Sequence, residues 1–167
     1  DFASGNYKLA ISEYGVLDNL RVEPLQRKSP NPDEVEIRVK ATGLNFRDVL
    51  NALGMLNGIA ENIPFGFECA GEIAAIGENV RHLNIGDEVI AAHAIGSLAG
   101  FVTVRADFVT LKPANLSFEE AATLPGAYLT AYYALHHQAK IQAGDRILIH
   151  AAAGGVGMAA VRLAQQV

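Results

Sequence analysis

The sequence predicts a β-rich domain followed by the opening elements of a parallel α/β domain, on three observations. Val35, Ile37, Val39 and Ala41 alternate with Glu34, Glu36, Arg38 and Lys40, the period-two pattern of a strand with one buried and one solvated face. Around that strand, before Pro113, short apolar runs are separated by glycine and proline, which suits a small barrel or sandwich. Near the end, Gly144-Asp145 leads into Ile147-Leu148-Ile149 and then into Ala151-Ala-Ala-Gly-Gly-Val-Gly157, a buried-strand pattern feeding a glycine corner.

Taken in order, Asn6 to Tyr14 and Val16 to Arg27 read as two strands joined at Gly15. Ser29-Pro-Asn-Pro-Asp33 is a turn by composition. After the alternating strand, Phe46 to Leu53 reads as a short helix stopped by Gly54. Phe67 to Ile76, Glu88 to Ala92, Phe101 to Val104 and Phe108 to Leu111 supply further strands. The pattern changes at Pro113: Ser117 with Glu120 three residues on is a capping box, and Leu124-Pro125 introduces a second helix, roughly Ala127 to Gln138. The expected domains are therefore 1–123 and 124–167.

Composition narrows the function. Charged residues make up 19% of the 167, below the ~25% usual for soluble domains, which suits a chain with much buried surface. A net charge of −5 with no basic run argues against nucleic acid. No stretch approaches ~18 uncharged apolar residues, so no membrane-spanning helix is expected. The single cysteine, Cys69, excludes an intrachain disulfide and fits a reducing cytoplasm.

The glycine corner points to a diphosphate. A strand, a glycine turn and a helix N-terminus together aim free backbone N–H groups at an anion. Gly154 lets the backbone approach a phosphate, and Gly157 lets the helix pack against the strand. Matched to G-x-G-x-x-G, the segment Ala152 to Gly157 carries alanine at the first glycine. A tight αβ packing turn is the plain alternative. The residue that reads the ribose lies ~20 residues beyond such glycines, past Val167. The sequence thus reads as a fragment, ending inside the first helix of a nucleotide-binding domain.

Seven segments carry a more specific likeness: Leu17-Asp-Asn-Leu20, Glu34 to Val39, Gly43-Leu-Asn-Phe-Arg-Asp-Val-Leu-Asn-Ala-Leu-Gly-Met55, Gly66-Phe-Glu-Cys-Ala-Gly71, Ile85-Gly-Asp87, Leu116 to Pro125 and His150 to Gly157. They run the length of the chain and resemble enoyl reductase domains of modular polyketide synthases, in the medium-chain dehydrogenase/reductase superfamily. The resemblance implies a GroES-like barrel followed by the first α-β-α elements of a Rossmann domain. It implies NADPH as cofactor, an enoyl thioester on an acyl carrier protein as substrate, and other domains of the same synthase as partners.

Zinc alcohol dehydrogenases of the superfamily place cysteine near the position of Asn45 and histidine before the glutamate at Glu68. Asn45 and Phe67 replace neither the thiolate nor the imidazole, so no zinc is expected. The resemblance puts Asn45 and Phe46 beside the nicotinamide, Thr130 at its carboxamide, and Ala153, Gly154, Gly155, Val156 and Gly157 at the pyrophosphate. Each has a plainer reading: Asn45 as an N-cap with Asp48 at N3, Phe46 as core, Thr130 as a hydroxyl bonded to its own turn. Many polyketide enoyl reductases carry a tyrosine after the Gly-Met of this helix, proposed to protonate the α-carbon. Here Gly54-Met55 is followed by Leu56, which is expected to face the nicotinamide and cannot donate.

Two alternatives stay open: a free-standing quinone oxidoreductase-like enzyme, and reductive cyclopropane closure on a substrate with a γ-leaving group. A non-catalytic protein on the same fold is a third. Glu68 is expected to orient Arg47. The histidines do not cluster: His82 and His93 fall in or near turns, His136 and His137 close a helix, and only His150 adjoins the glycine corner.

Overall fold

The computed structural model describes residues 5–56 and 63–167. Its contacts divide into two compact units, Asp1–Thr123 and Leu124–Val167.

In the first unit, β1 (Asn6–Ile11) and β2 (Leu20–Leu25) form an antiparallel hairpin. The connection is wider than a turn at Gly15 alone, because a 3-10 turn occupies Leu17–Asn19. The remaining strands are β3 (Glu34–Thr42), β4 (Cys69–Ile76), β5 (Glu88–Ala91), β6 (Phe101–Arg105) and β7 (Val109–Leu111). They make one antiparallel sheet in the order β6-β3-β4-β5-β7. Among the described residues β6 and β7 share no ladder, so the sheet stays open at that seam.

The alternation along β3 does what its pattern requires: Val35 and Ile37 are wholly buried with Ile73, Val89 and Val104 in the main core. One polar position departs from the pattern. Glu36 is buried because Arg27 spans it with two nitrogens, Nε at 2.9 Å from Oε1 and Nη2 on Oε2. A buried carboxylate is tolerable only with such a partner. Helix α1 (Phe46–Ala52) follows β3 and ends at Gly54, whose φ of 67° favours glycine. Helix α2 (Phe118–Ala122) is closed by its capping box, with Glu120 N–H on Ser117 Oγ at 3.1 Å and Ser117 N–H on Glu120 Oε2 at 2.9 Å. It packs Ala121 and Ala122 onto Ala70.

In the second unit α3 (Leu124–Tyr132) begins three residues before the position expected, with Pro125 in its first turn, and runs on as a π-helical stretch over Tyr133–Gln138. Helix α4 (Gly155–Ala164) lies against it through Ala131, Leu135, Ala159 and Ala160. The expected strand at Ile147-Leu148-Ile149 is corrected: no ladder forms there, and Leu148 is 83% exposed. A parallel strand exists only by pairing with neighbours, and the described residues of this unit hold none.

Candidate active site

The expected site residues fall into two sets, one in each unit. The first gathers three loops of the β-rich unit at a single oxygen. Glu68 O accepts Thr42 Oγ1 at 2.8 Å, Ser97 Oγ at 3.1 Å and Gly43 N–H at 3.2 Å, and the two hydroxyls lie 3.0 Å apart. Segments 42–45, 66–68 and 93–97 are thereby held together.

Asn45 sits at the N-cap of α1 with extended backbone (φ −96°, ψ 150°), and its N–H donates to Asp48 Oδ2 at 3.1 Å. Its side chain is used elsewhere: Nδ2 donates to Glu68 Oε1 at 2.9 Å. Gly43 makes room for that pair, since a Cβ there would lie 2.6 Å from Glu68 Oε1. Both the cap and an oriented amide are therefore present at one residue. Asp48 is buried and also accepts Gly66 N–H at 2.9 Å, which joins α1 to the loop before β4. Arg47 Nη2 donates to Gly66 O at 3.1 Å and lies 3.3 Å from Asp48 Oδ1, while Glu68 Oε1 accepts the Asn45 amide. The Arg47 guanidinium also lies 4.8 Å from the centre of the Phe67 ring.

Phe46 is 74% exposed, so the core reading fails for it. Leu56 is half-buried in the turn after α1 and offers no proton. Cys69, next to Glu68, is fully buried; burial, and then the charge of Glu68, push its thiol up to about 12. It is a packed apolar group rather than a nucleophile.

The pattern along the chain gives little weight to His93. In the structure its imidazole lies between two rings, 5.2 Å from Phe67 in a T-shaped contact and 5.3 Å from Phe108. His93 has a positive φ of 51°. A signal is present in the turn-forming spacing of Ala92 to Ser97, but ring neighbours distant in sequence cannot be read from one strand and its turn.

The second set is the glycine corner. Ala151 to Val156 are exposed and Gly157 is buried. The first helical bond in the corner is Met158 N–H to Gly154 O at 2.8 Å, so the amides of Gly155, Val156 and Gly157 precede any intrahelical acceptor. A Cβ on Gly157 would collide with Ala151 O and lie 2.7 Å from Ala152 Cα. Gly157 is thus required by the backbone of the turn itself, rather than by the expected strand. A Cβ on Gly155 would meet nothing within 4 Å. Three amides without an intrahelical acceptor at the start of a ten-residue helix, on a turn where Gly157 admits no side chain, fit a diphosphate. Ala153 is exposed on the same turn. Thr130 is exposed on α3, and its Oγ1 donates to Gly126 O at 2.6 Å; the hydroxyl keeps its lone pairs as acceptors. His150 is exposed beside the corner.

Residues 31–162 match the alcohol dehydrogenase GroES-like domain. A phenolphthiocerol/phthiocerol polyketide synthase of Mycobacterium tuberculosis is 43% identical over 161 residues, 96% of this chain and 7% of that protein. Among solved structures, CurK enoyl reductase is similar at TM-score 0.93 and 55% identity, over 98% of this chain and 52% of that one. The CurF ER cyclopropanase from the curacin A biosynthetic pathway is similar at 0.86 and 44%, over 96% and 51%. Quinone oxidoreductase of Escherichia coli, solved with NADPH, reaches 0.82 and 31%, over 96% and 49%. The chain spans about half of these solved chains and a small part of the synthase.

Proposed function

We propose that this chain, which belongs to the alcohol dehydrogenase GroES-like family of the medium-chain dehydrogenase/reductase superfamily, forms part of an NADPH-dependent, zinc-independent enoyl reductase of a polyketide synthase. Its substrate is the α,β double bond of an enoyl thioester on an acyl carrier protein. The observation that carries the reading is the likeness to CurK enoyl reductase over 98% of the chain at 55% identity. The quinone oxidoreductase solved with NADPH supports the cofactor.

A reduced nicotinamide, when bound, supplies hydride to the β-carbon of a conjugated thioester, whose carbonyl spreads the charge without a metal. The chain's own residues bind and orient. In the second unit, the amides of Gly155, Val156 and Gly157, with Ala153 and Gly154 leaving the approach open, hold the diphosphate. The Thr130 hydroxyl has its proton on Gly126 O and so receives a carboxamide N–H. In the first unit, the Asn45 amide is fixed by Glu68, and with the exposed Phe46 ring it flanks the nicotinamide. A fixed amide needs no reordering when ligand arrives.

The intact protein carrying this chain, given NADPH and a crotonyl thioester, is expected to form the butyryl thioester, and more slowly with NADH. Reduction of quinones with no reduction of the thioester would overturn the reading. The likeness to the CurF cyclopropanase favours one second reading, ring closure. In that outcome a γ-chlorocrotonyl thioester loses chloride as the α-carbanion closes a three-membered ring. The cyclopropyl product against the chlorinated saturated product decides between the two.

A further inference from the structure

We propose that the cavity between the β1–β2 hairpin and β6 is a binding site for a small carboxylate with an apolar tail, of the class of a medium-chain acyl carboxylate. The cavity lies wholly within the first unit, and none of the residues assigned above to the cofactor lines it. Its volume is about 280 Å³, at the lower edge of the ~300–1,000 Å³ of ligand pockets, which leaves room for one short chain.

The walls are fixed by backbone. Leu9 N–H donates to Leu98 O at 2.8 Å and Gly100 N–H to Tyr7 O at 3.0 Å, tying the hairpin to the segment before β6. The buried Asn6 amide is engaged in the same joint: its Oδ1 accepts Phe101 N–H at 2.7 Å and Tyr7 N–H at 2.8 Å, and its Nδ2 donates to Phe101 O at 3.0 Å. Apolar surface comes from Phe65 and Val102, both buried, and from the more exposed Leu25 and Ile95.

The charges left over are positive. Glu36 is the one carboxylate among the lining residues, and Arg27 holds it through Nε and Nη2. The Arg27 guanidinium lies 4.0 Å from the centre of the Phe101 ring, and its Nη1 has no hydrogen-bond partner among the described residues. Lys8 and Lys28 also line the cavity and form no ion pair among the described residues. Glu23, opposite Lys8 in the β1–β2 ladder, is taken by Arg21 at 2.7 Å. In a chain of net charge −5, two unpaired lysines beside a fixed guanidinium make a local field that draws an anion. Arg27 and Lys28 also line an adjoining hollow with Ser29 and Pro30, so the two spaces meet at the cationic groups. A carboxylate head suits that junction, and a tail suits the apolar surface around Phe65. A short anion has nothing to cover the second feature, and a neutral alcohol nothing to answer the first.

The test is calorimetric titration of the intact protein with octanoate, without NADPH or thioester, so its result stands apart from the enoyl reductase reading. One octanoate is expected to bind, with affinity rising at most about fourfold per methylene from butyrate upward. Octanol and propionate are expected to bind at least about tenfold more weakly. Lys28→Glu and Lys8→Glu, both on the rim, should each weaken octanoate about tenfold, and added salt should weaken it in the wild type. Thr103→Trp fills the cavity from an exposed position on β6 and should abolish binding. Circular dichroism shows whether these variants keep the fold, and NADPH affinity by fluorescence should stay unchanged in all three. Equal binding of octanol would overturn the charged half of the site, and equal binding of propionate the apolar half. Octanoate affinity unaltered in folded Lys28→Glu and Thr103→Trp would place the ligand elsewhere and overturn the assignment. Absence of binding up to about 10 mM octanoate, the outcome if a protein segment fills the cavity, would overturn it as well.

Discussion

The loop cluster around Glu68 and the corner at Gly154 to Gly157 solve one problem by opposite means. In the first, side chains hold one another: Asp48 fixes Asn45 and Gly66, Glu68 fixes Asn45, and Arg47 closes back on Gly66 O. In the second, backbone packs against backbone, and at Gly157 a Cβ would collide with Ala151 O and crowd Ala152 Cα. A network of buried polar groups fails when a member loses its partner. A backbone cradle fails when a carbon atom is added. The two regions should therefore respond to different substitutions.

The largest effect tests how closed the first region is. With its thiol raised from 9.0 to about 12, Cys69 should react with iodoacetamide on the order of a thousandfold more slowly in the native protein than after unfolding. The folded state holds this proton more tightly than the unfolded chain does, so its contribution to stability is complete below pH 9.0 and is lost as pH rises toward about 12. Rapid labelling of native protein at pH 8 would show that the region opens.

Next, Asp48→Ala leaves the N–H groups of Asn45 and Gly66 without their acceptor. Unfolding by urea should show a loss of about 3 kcal/mol, with Asp48→Asn intermediate because it keeps a carbonyl. An equal loss from Ser117→Ala, an exposed cap worth about 1 kcal/mol, would end the contrast between buried network and surface cap.

In the second region, Gly157→Ala sets a Cβ against backbone that cannot swing aside. Overpacking of about 1–3 kcal/mol should lower NADPH affinity about tenfold to a hundredfold in a fluorescence titration. Gly155→Ala, which meets nothing within 4 Å, should keep the fold, so equal losses at both positions would refute the steric account. The smallest effect is at Thr130→Ala, where one neutral hydrogen bond is worth about 0.5–1.5 kcal/mol. Cofactor affinity should fall about two- to tenfold with thermal stability nearly unchanged.

Legibility in the sequence followed the range of the interactions. The β3 alternation, the Ser117–Glu120 box and the stop at Gly54 depend on residues within a few positions, and each is visible in the chain. Ile147-Leu148-Ile149 has the composition of a buried strand, but its ladder depends on partners outside its own segment. Glu36 looks solvated on its pattern and is buried because Arg27, nine residues earlier, reaches it. The Asn45–Glu68 bond and the rings around His93 are long-range contacts, and only the fold brings them into register. Asn45 shows the limit most directly: its backbone is the cap that spacing suggests, yet its amide answers to a residue 23 positions away.

The carbonyl of Glu68 receives Gly43, Thr42 and Ser97 together, and this has a bearing on how the family could diversify. What is anchored there is the frame of three loops, while Asn45, Phe67 and His93 sit a residue or more away at their tips. Exchange at a tip alters what the three loops present and leaves the frame standing. Loss of a hydroxyl at position 42 or 97 would loosen all three tips at once. New chemistry on this scaffold is therefore most accessible through the tips, one at a time.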